Sequence, residues 1–404
     1  VIKDNVDVLI VGGGLTGSTL ALALQHSGLN TLLVEKKSSF KYTQPDFDTR
    51  SLALSAASVR VLQMLEVWPH LQSAVTPIDT IHVSEQGHWG KMRLNRTPDE
   101  ALGFVVEMPQ LMRAIYQRLD VQHLISSAQL KAVNAIDGTA HVQYLDKTVE
   151  IKASLIVAAD GTDSEVRALC GLQPLCKDYA QHAIVANIGL SRPHQQQAYE
   201  RFTRFGPLAL LPLTGLRAGL VWALPPNDAR ALHHLPETIF LQKLQHAFGY
   251  SRGRFMRIGQ RMVYPLRQVL MPEQVRGRVV FIGNAAHTLH PVAGQGFNLG
   301  LRDVAMLAQC ILQEGVTSEM LKHYETARSH DQHAISQLTD GLITLFTNQL
   351  PGMAIARSSG MMALDLMPGF KHLLTRYTRG FAGTIPDLVC GIPLVKEMNH
   401  DQRV

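Results

Sequence analysis

The hydrophobic pattern changes character several times along the chain, and each change predicts an element. Val6-Asp7-Val8-Leu9-Ile10-Val11 is mostly apolar without clean alternation, as expected of a strand buried on both faces of a parallel sheet. Gly12-Gly13-Gly14-Leu15-Thr16-Gly17 follows, and Leu20, Ala21, Ala23 and Leu24 then predict a helix, with Gly28 where its C-cap belongs. A second strand, Thr31 to Val34, ends in Glu35. Ser154 to Ala159 is another continuous apolar strand, and Val279, Val280, Phe281 and Ile282 form a short one. Between them, Ala183 to Leu190, Leu208 to Leu213 and Ala218 to Leu224 read as strands separated by Pro-rich turns. Phe297, Leu301, Val304, Ala305, Ala308, Ile311 and Leu312 recur at helical spacing, so a helix is predicted to start near Gly294 to Gly296. From Leu338 onward the chain is helical and apolar: Leu338, Leu342, Leu345 and Phe346 make one stripe. Met353, Met361, Met362, Leu364, Leu366 and Met367 make a softer one, flanked by Arg357, Lys371, Arg376 and Arg379.

Composition narrows the class. With 404 residues, 46% hydrophobic and 18% charged, the chain is neither disordered nor fibrous and can bury a sizeable core. The formal charge of +5 is spread along the sequence, which argues against nucleic-acid binding but leaves weak attraction to anionic lipid open. Cys170, Cys176, Cys310 and Cys390 form no C-x-x-C pair, and no metal site emerges from the histidines, which fits free thiols in a reducing compartment. The apolar run at Val6 to Val11 is too short for a signal peptide, and no uncharged apolar run reaches membrane-spanning length. The expectation is a cytoplasmic protein, with a peripheral position on the inner face of the membrane left open.

The first glycine cluster has a physical role. Gly12 allows a tight turn, Gly14 lets backbone meet a pyrophosphate, and Gly17 lets the helix pack close to the strand. The helix N-terminus presents N–H groups and partial positive charge to phosphates. Glu35, about twenty residues on, is placed to accept from ribose hydroxyls. NAD-dependent dehydrogenases open the same way, so this unit leaves the dinucleotide undecided. Two further motifs lie downstream: Asp160-Gly161-Thr162-Asp163-Ser164-Glu165-Val166-Arg167 after one strand, and Gly283 to Gly300 after another. In the latter, Pro291 and Gly294 shape a turn, Gln295 and Asn298 offer amide hydrogen bonds, and the helix N-terminus favours negative charge. Gly294-x-Gly296-x-x-x-Gly300 has the wrong spacing for a second dinucleotide fingerprint.

Together the three motifs resemble the signature of single-component FAD-dependent aromatic hydroxylases. Within that superfamily the chain is most similar to the ubiquinone-biosynthesis hydroxylases, over roughly residues 5 to 385. The likeness rests on Phe47-Asp48-Thr49-Arg50, His82-Val83-Ser84, Glu200-Arg201-Phe202-Thr203, Gly206-Pro207-Leu208-Ala209, and Thr288-Leu289-His290-Pro291 through Arg302-Asp303. The resemblance implies an α/β fold: a Rossmann-like FAD-binding domain, an inserted mixed β-sheet substrate domain and a helical C-terminal segment. The expected division is 1–70, 101–175 and 270–335 for FAD, 71–100 and 176–269 for substrate, and 336–404 for the helical region. It also implies that NAD(P)H docks transiently and reduces FAD, and that O2 then gives a flavin hydroperoxide whose distal oxygen is transferred to a polyprenylated methoxyphenol. The expected cofactor-binding residues are Gly12, Gly14, Gly17, Glu35, Arg50, Asp160, Gly283, Asn284, Pro291, Gly294, Gln295, Gly296 and Asn298.

Two positions depart from the superfamily. Asn284 stands where most members carry an Asp toward the ribityl chain, and Met108 where relatives often place an amide or Arg. His287 and His290 lack a paired carboxylate at local spacing and are expected to be structural; Tyr264 reads as a strand end, and no catalytic base is assigned. A flavin-dependent reductase of an isoprenoid and a non-catalytic FAD-binding subunit share the same scaffold, and incorporation of labelled oxygen separates them from a hydroxylase. For the C-terminal region, a lid on the FAD domain stands beside a surface for a prenyl tail, a membrane or a partner protein; an oligomer is compatible with the sequence.

Overall fold

A computed structural model describes residues 4–38, 50–348 and 350–394; Phe47 to Thr49, part of the resemblance above, lie outside them. The first sheet is built on parallel strands whose order across it is Val279–Phe281, Lys147–Ala158, Asn5–Val11, Thr31–Glu35 and Leu124–Ser126. Both faces of this sheet are covered, which is why its strands show no alternation. Val8, Ile10, Leu155, Val157 and Val280 pack on one face against helices, while Leu9, Val11, Ile156 and Phe281 pack on the other. Each fully buried aliphatic side chain there contributes roughly 1.5–3 kcal/mol. The strand Lys147–Ala158 is long enough to serve twice. Its first half pairs antiparallel with Thr139–Tyr144 and its second half parallel with Asn5–Val11.

The helices, in chain order, are α1 (Leu15–Leu24), α2 (Ala56–Met64), α3 (Met108–Arg118), α4 (Glu165–Leu169), α5 (Pro226–His233), α6 (Glu237–Phe248), α7 (Gln295–Glu314), α8 (Ser318–Thr347), α9 (Met353–Leu366), α10 (Pro368–Thr378) and α11 (Asp387–Cys390). α1 is nearly all buried between the sheet, α3 and α7. It stops at Leu24 with Gln25 as its cap, so Gly28 is not the C-cap the sequence predicts; its φ of +77° serves the turn that follows. α2 and α8 begin at hydroxyl caps: Ser55 Oγ accepts from the Ser58 N–H and Thr317 Oγ1 from the Met320 N–H. α7 begins at Gln295, within the predicted interval.

The second sheet is mixed and larger. It runs His287–Thr288, Met262–Leu270, Leu175–Leu190, Arg217–Leu224, Gly206–Leu213, Gln197–Thr203, Thr80–Glu85 and Lys91–Asn95. Only the contact between Thr80–Glu85 and Gln197–Thr203 is parallel among these neighbours. That contact places His82 beside Tyr199, Val83 beside Glu200 and Ser84 beside Arg201, and the next strand sets Ala209 beside Glu200. Three of the segments that carry the resemblance therefore become neighbours in one sheet. α5 and α6 cover part of one face through Leu232, Phe240 and Leu244. A small sheet of Ser51–Ser55, Gly103–Glu107 and Val75–Ile78 stands apart from it, so the 71–100 stretch is divided between two sheets. The bidentate pair of Arg217 with Glu107, at 3.0 and 3.1 Å, joins the small sheet to the large one.

Candidate active site

The three motifs meet because the strands before them are neighbours. Val11 is in register with Ala158, and Ala158 with Phe281. The turns after these residues leave the sheet side by side at its carboxyl edge, the edge where open parallel sheets bind ligands.

Gly12 and Gly17 seal the first turn. Gly12 has φ +106°, and a Cβ there would lie 2.6 Å from the Ala159 carbonyl oxygen; a Cβ on Gly17 would lie 2.0 Å from the Gly12 oxygen. Gly14 differs: a Cβ there meets nothing within 4 Å, so its backbone faces open space at the start of α1. No acidic side chain occupies the first turn of α1, which leaves the helix terminus favourable to an anion. The loop is braced from three sides. Glu35 accepts from the Gly13 N–H at 2.7 Å and the Lys37 N–H at 2.8 Å, while Ser18 and Tyr116 donate to the Gly13 oxygen at 2.9 and 3.0 Å. Tyr116, on α3, has no signal in the sequence; burial pushes its phenol up to about 12, so it stays a donor.

In the second motif one Asp160 oxygen accepts from the Val166 N–H at 3.0 Å, at the start of α4. The other, Oδ1, is buried without a hydrogen-bond partner, and burial raises the carboxyl above its ordinary value. Gly161, at φ +91°, also faces open space. Arg167 donates to the Thr162 oxygen at 2.7 Å and the Ala285 oxygen at 3.1 Å, and the Thr162 and Thr288 hydroxyls are 2.9 Å apart. The Asp-Gly motif is thereby tied to the third motif.

In the third motif Gly283 (φ +56°) admits Thr16 of α1: a Cβ there would lie 2.8 Å from Thr16 Oγ1. Pro291 leads into a single turn ending at Gly294, whose φ of +61° starts α7, and Gly296 has nothing within 4 Å of a built Cβ. The Asn284 residue is exposed. The Asn298 oxygen accepts from the Ser55 N–H and the Ser58 hydroxyl at 2.8 and 2.7 Å, and its nitrogen donates to the Ala53 and Gly294 oxygens at 2.9 and 2.8 Å. That uses the whole side-chain amide, so the Asn298 amide braces the turn while the residue also lines the cavity beside Gln295. Gln295 lines a cavity of about 90 Å³ between Pro291 and Gly294 on one side and Tyr199, Glu200 and Leu211 of the mixed sheet on the other.

His287 finds a partner that its local sequence does not show. It has a carboxylate partner, Asp303, at 2.5 Å, sixteen residues ahead and reached only because the third motif folds back on α7. Asp303 also accepts from the Gly283 N–H (2.9 Å), Arg328 (2.8 Å) and Gln332 (3.1 Å), while Asp331 pairs with Arg302 (2.7 Å) and Arg328 (2.5 Å). Burial alone would raise Asp303; the charges of His287 and Arg328 and the bonds from His287 and Gly283 outweigh it and hold the carboxyl well below the ordinary range. His290 has no carboxylate. Its Nδ1 accepts from the Val292 N–H, its Nε2 faces the Gln181 oxygen at 3.3 Å, and burial pushes it down to about 4, so the ring is neutral.

Arg50 is exposed and lies over the Tyr264 ring, 5.4 Å from its centroid, which brings together two residues the sequence leaves unconnected. Met108 caps the approach of Arg50, donating its N–H to the Arg50 oxygen at 2.8 Å, while its side chain packs in the core. Among the described residues one group could present ligand atoms to a cation: Cys310, Glu314 and His323. Burial pushes the Cys310 thiol up to about 12, the wrong direction for a metal thiolate.

The open backbone at Gly14, Gly161 and Gly296, with an unpartnered carboxylate oxygen at Asp160, fits a dinucleotide laid along the carboxyl edge. Comparison with known proteins agrees. Residues 5–339 match the family model described as "FAD binding domain". The chain is 34% identical over 405 residues to the ubiquinone hydroxylase UbiL of Rhodospirillum rubrum, covering 96% of this chain and 93% of that one. It is 29% identical over 395 residues to the 3-demethoxyubiquinol 3-hydroxylase of Escherichia coli K12, covering 93% and 98%. Among solved structures, p-nitrophenol 4-monooxygenase PnpA from Pseudomonas putida DLL-E4 superposes with a TM-score of 0.77 at 16% identity, covering 94% of this chain and 99% of that one; that likeness speaks for the fold. With its glycine-lined carboxyl edge and these relatives, the chain belongs to the FAD-binding family of flavin-dependent monooxygenases, in its ubiquinone-biosynthesis hydroxylase branch.

Proposed function

We propose that this flavin-dependent monooxygenase hydroxylates the ring of a polyprenylated methoxyphenol, 2-polyprenyl-6-methoxyphenol, with NAD(P)H as reductant. The observation that carries the reading is the ring-side cavity: it lies between the third-motif turn, at Pro291, Gly294 and Gln295, and the mixed sheet, and Gly296, with open space at its backbone, follows Gln295 in sequence. FAD, when bound, accepts the electrons of NAD(P)H and activates O2 for transfer to the phenol. The chain's residues hold and orient it. Gly12, Gly14 and Gly17 with the start of α1 receive the pyrophosphate, and Glu35 holds the loop and the ribose end. Asp160 directs its unpartnered oxygen toward the cofactor. Gly283, Asn284, Pro291, Gly294, Gln295 and Gly296 receive the ribityl chain and ring, and Arg50 meets a phosphate or NAD(P)H. In this reading residues 1–70, 101–175 and 270–335 form the cofactor part and 71–100 and 176–269 the substrate part. No side chain is assigned as acid or base; neutral His290 and the paired His287 fix the turn.

The test is incorporation of labelled oxygen from O2 into the phenol, with NAD(P)H oxidation followed in parallel. Labelled product is expected; phenol-stimulated NAD(P)H oxidation with no label in any product would point to a reductase and overturn the reading. The same proposal includes a membrane contact. No helix among the described residues is long and apolar enough to cross a membrane. Leu366 is 75% and Leu373 47% exposed, near Lys371 and Arg376, as an interfacial surface requires. Substituting both leucines by Glu is expected to abolish sedimentation with anionic liposomes, and unchanged sedimentation would remove this part.

A further inference from the structure

Behind the ring-side cavity lies a second, larger one of about 440 Å³, between the edge strands of the mixed sheet and helices α8, α9 and α10. Its volume is in the range of small-molecule sites. The two are adjacent: Ile81, Glu200, Gln295 and Thr378 line both. The larger chamber is walled by Val83, Met92 and Phe202 from the sheet and by Leu342, Met361 and Leu374 from the helices. The one cation in its wall is neutralised. Arg357 directs its guanidinium to Glu85, with Nε 3.1 Å from Oε1, and to the carbonyl oxygens of Leu345 and Asn348 at 3.2 and 2.7 Å. That buried pair also fastens α9 to the sheet edge, as does Gly90, where a Cβ would lie 2.4 Å from the Ser358 backbone.

Two features show that the space is built and has an exit. Gly360 lies inside α9, where glycine costs about 1 kcal/mol relative to alanine, yet a Cβ there meets nothing within 4 Å and the residue lines the chamber. Leu338, Leu345 and Phe370 line it too and remain 42%, 42% and 37% exposed, which marks an open end between α8 and α10.

We infer that this chamber holds the polyprenyl tail of the substrate whose ring occupies the smaller cavity. The inference rests on the proposed function and names the site of the tail within it. A phenol seated against Gln295 must send an apolar chain of isoprene units somewhere. The apolar chamber adjoins the ring-side cavity across Ile81, Glu200, Gln295 and Thr378, and its exposed side lies beside Phe370, so the tail has an apolar space next to the ring to enter.

The test fills the chamber. Gly360→Phe adds a ring where the helix leaves open space, and kcat/KM is measured for a farnesylated methoxyphenol and for the same phenol without a tail. The ratio of the two is expected to fall about tenfold or more, the size of effect that pocket shape alone commands. A second arm uses farnesol alone: it is expected to raise the melting temperature of the FAD-loaded wild type, saturably, and not that of Gly360→Phe. A ratio unmoved within about twofold, or farnesol stabilising both proteins equally, overturns the inference while leaving hydroxylation standing. If neither phenol is hydroxylated the functional reading fails, and the farnesol arm decides the chamber by itself. Circular dichroism and the flavin spectrum of Gly360→Phe verify that the variant is folded and loaded.

Discussion

The two halves of α8 do opposite things. Its first half puts Arg328, Asp331 and Gln332 into a buried knot with Asp303 and His287 under the third motif. Its second half turns Leu338, Leu342 and Phe346 toward the chamber, and Phe346 stacks on Phe202 with centroids 3.6 Å apart. One helix thus carries a polar anchor for the cofactor turn and an apolar wall for substrate. The charges in the anchor have geometry and partners that allow few alternatives, so they define one position of the turn. The wall is made of adaptable side chains around empty volume, so it tolerates change. A single α8 holds both sites in fixed relation.

The largest expected effect is in the first half. Arg328→Met leaves Asp303 and Asp331 buried without their shared cation, and it should cost about 3–5 kcal/mol by urea denaturation. Loss of under about 1 kcal/mol would show that the knot is not the anchor described. Acid attacks the same region in two steps. His290 is held neutral, from an ordinary 6.5 down to about 4. Its contribution is full above the unfolded value and is lost as pH falls from 6.5 toward 4, at most about 3 kcal/mol. Asp303, depressed in the fold, contributes above the unfolded carboxylate value of about 3.9 and loses that contribution only at still lower pH. Stability measured against pH in wild type and His290→Gln should differ in slope between pH 7 and 4; parallel curves would remove His290 from this account.

In the second half the expected effect is smaller. Leu342→Ala enlarges a cavity that already exists, so it loses the transfer contribution of the side chain without a new void, about 1–2 kcal/mol. A loss as large as that of Arg328→Met would mean the chamber is closed in solution and would erase the contrast between the two halves.

The apolar half was the legible one. Leu338, Leu342, Leu345 and Phe346 recur at helical spacing, and a stripe of that kind announces a buried face before its partner is known. The glycine turns were legible for a related reason: Gly12, Gly17 and Gly283 are dictated by short-range steric needs beside their own strands. The knot was not. Arg328 and Asp331 sit in a run, Arg328-Ser329-His330-Asp331-Gln332-His333, that has the composition of a solvated helix face. Their burial follows from where α8 crosses α7, which no local pattern encodes. The partners of His287 and Asn298 were hidden in the same way. The first finds Asp303 and the second finds Ser55 and Ser58 only after distant segments meet. The chamber itself was also invisible, because the strands at Ile81 and Phe202 and the helix at Met361 share it without sharing a motif.

The smallest expected change in stability is the most informative about function. Asp160 is a half-buried carboxylate, unlike the fully buried Asp303; one of its oxygens has no hydrogen-bond partner, and the bonds it accepts from Ser164 and the start of α4 only partly offset the burial that raises it. A raised carboxyl adds stability only while protonated; that contribution is present below the unfolded value and is lost as pH rises through the folded one, so at neutral pH the charge is a cost. Asp160→Asn removes the charge and keeps an oxygen for the Val166 N–H. FAD-free protein should therefore be as stable as wild type or more so, by less than about 1 kcal/mol. FAD affinity should fall about tenfold, so the gain in melting temperature on adding FAD should shrink. The two readouts move in opposite directions only if the unpartnered oxygen serves the cofactor. If Asp160→Asn lowers the stability of FAD-free protein and leaves the FAD-dependent gain intact, Asp160 belongs with the knot as a structural acid.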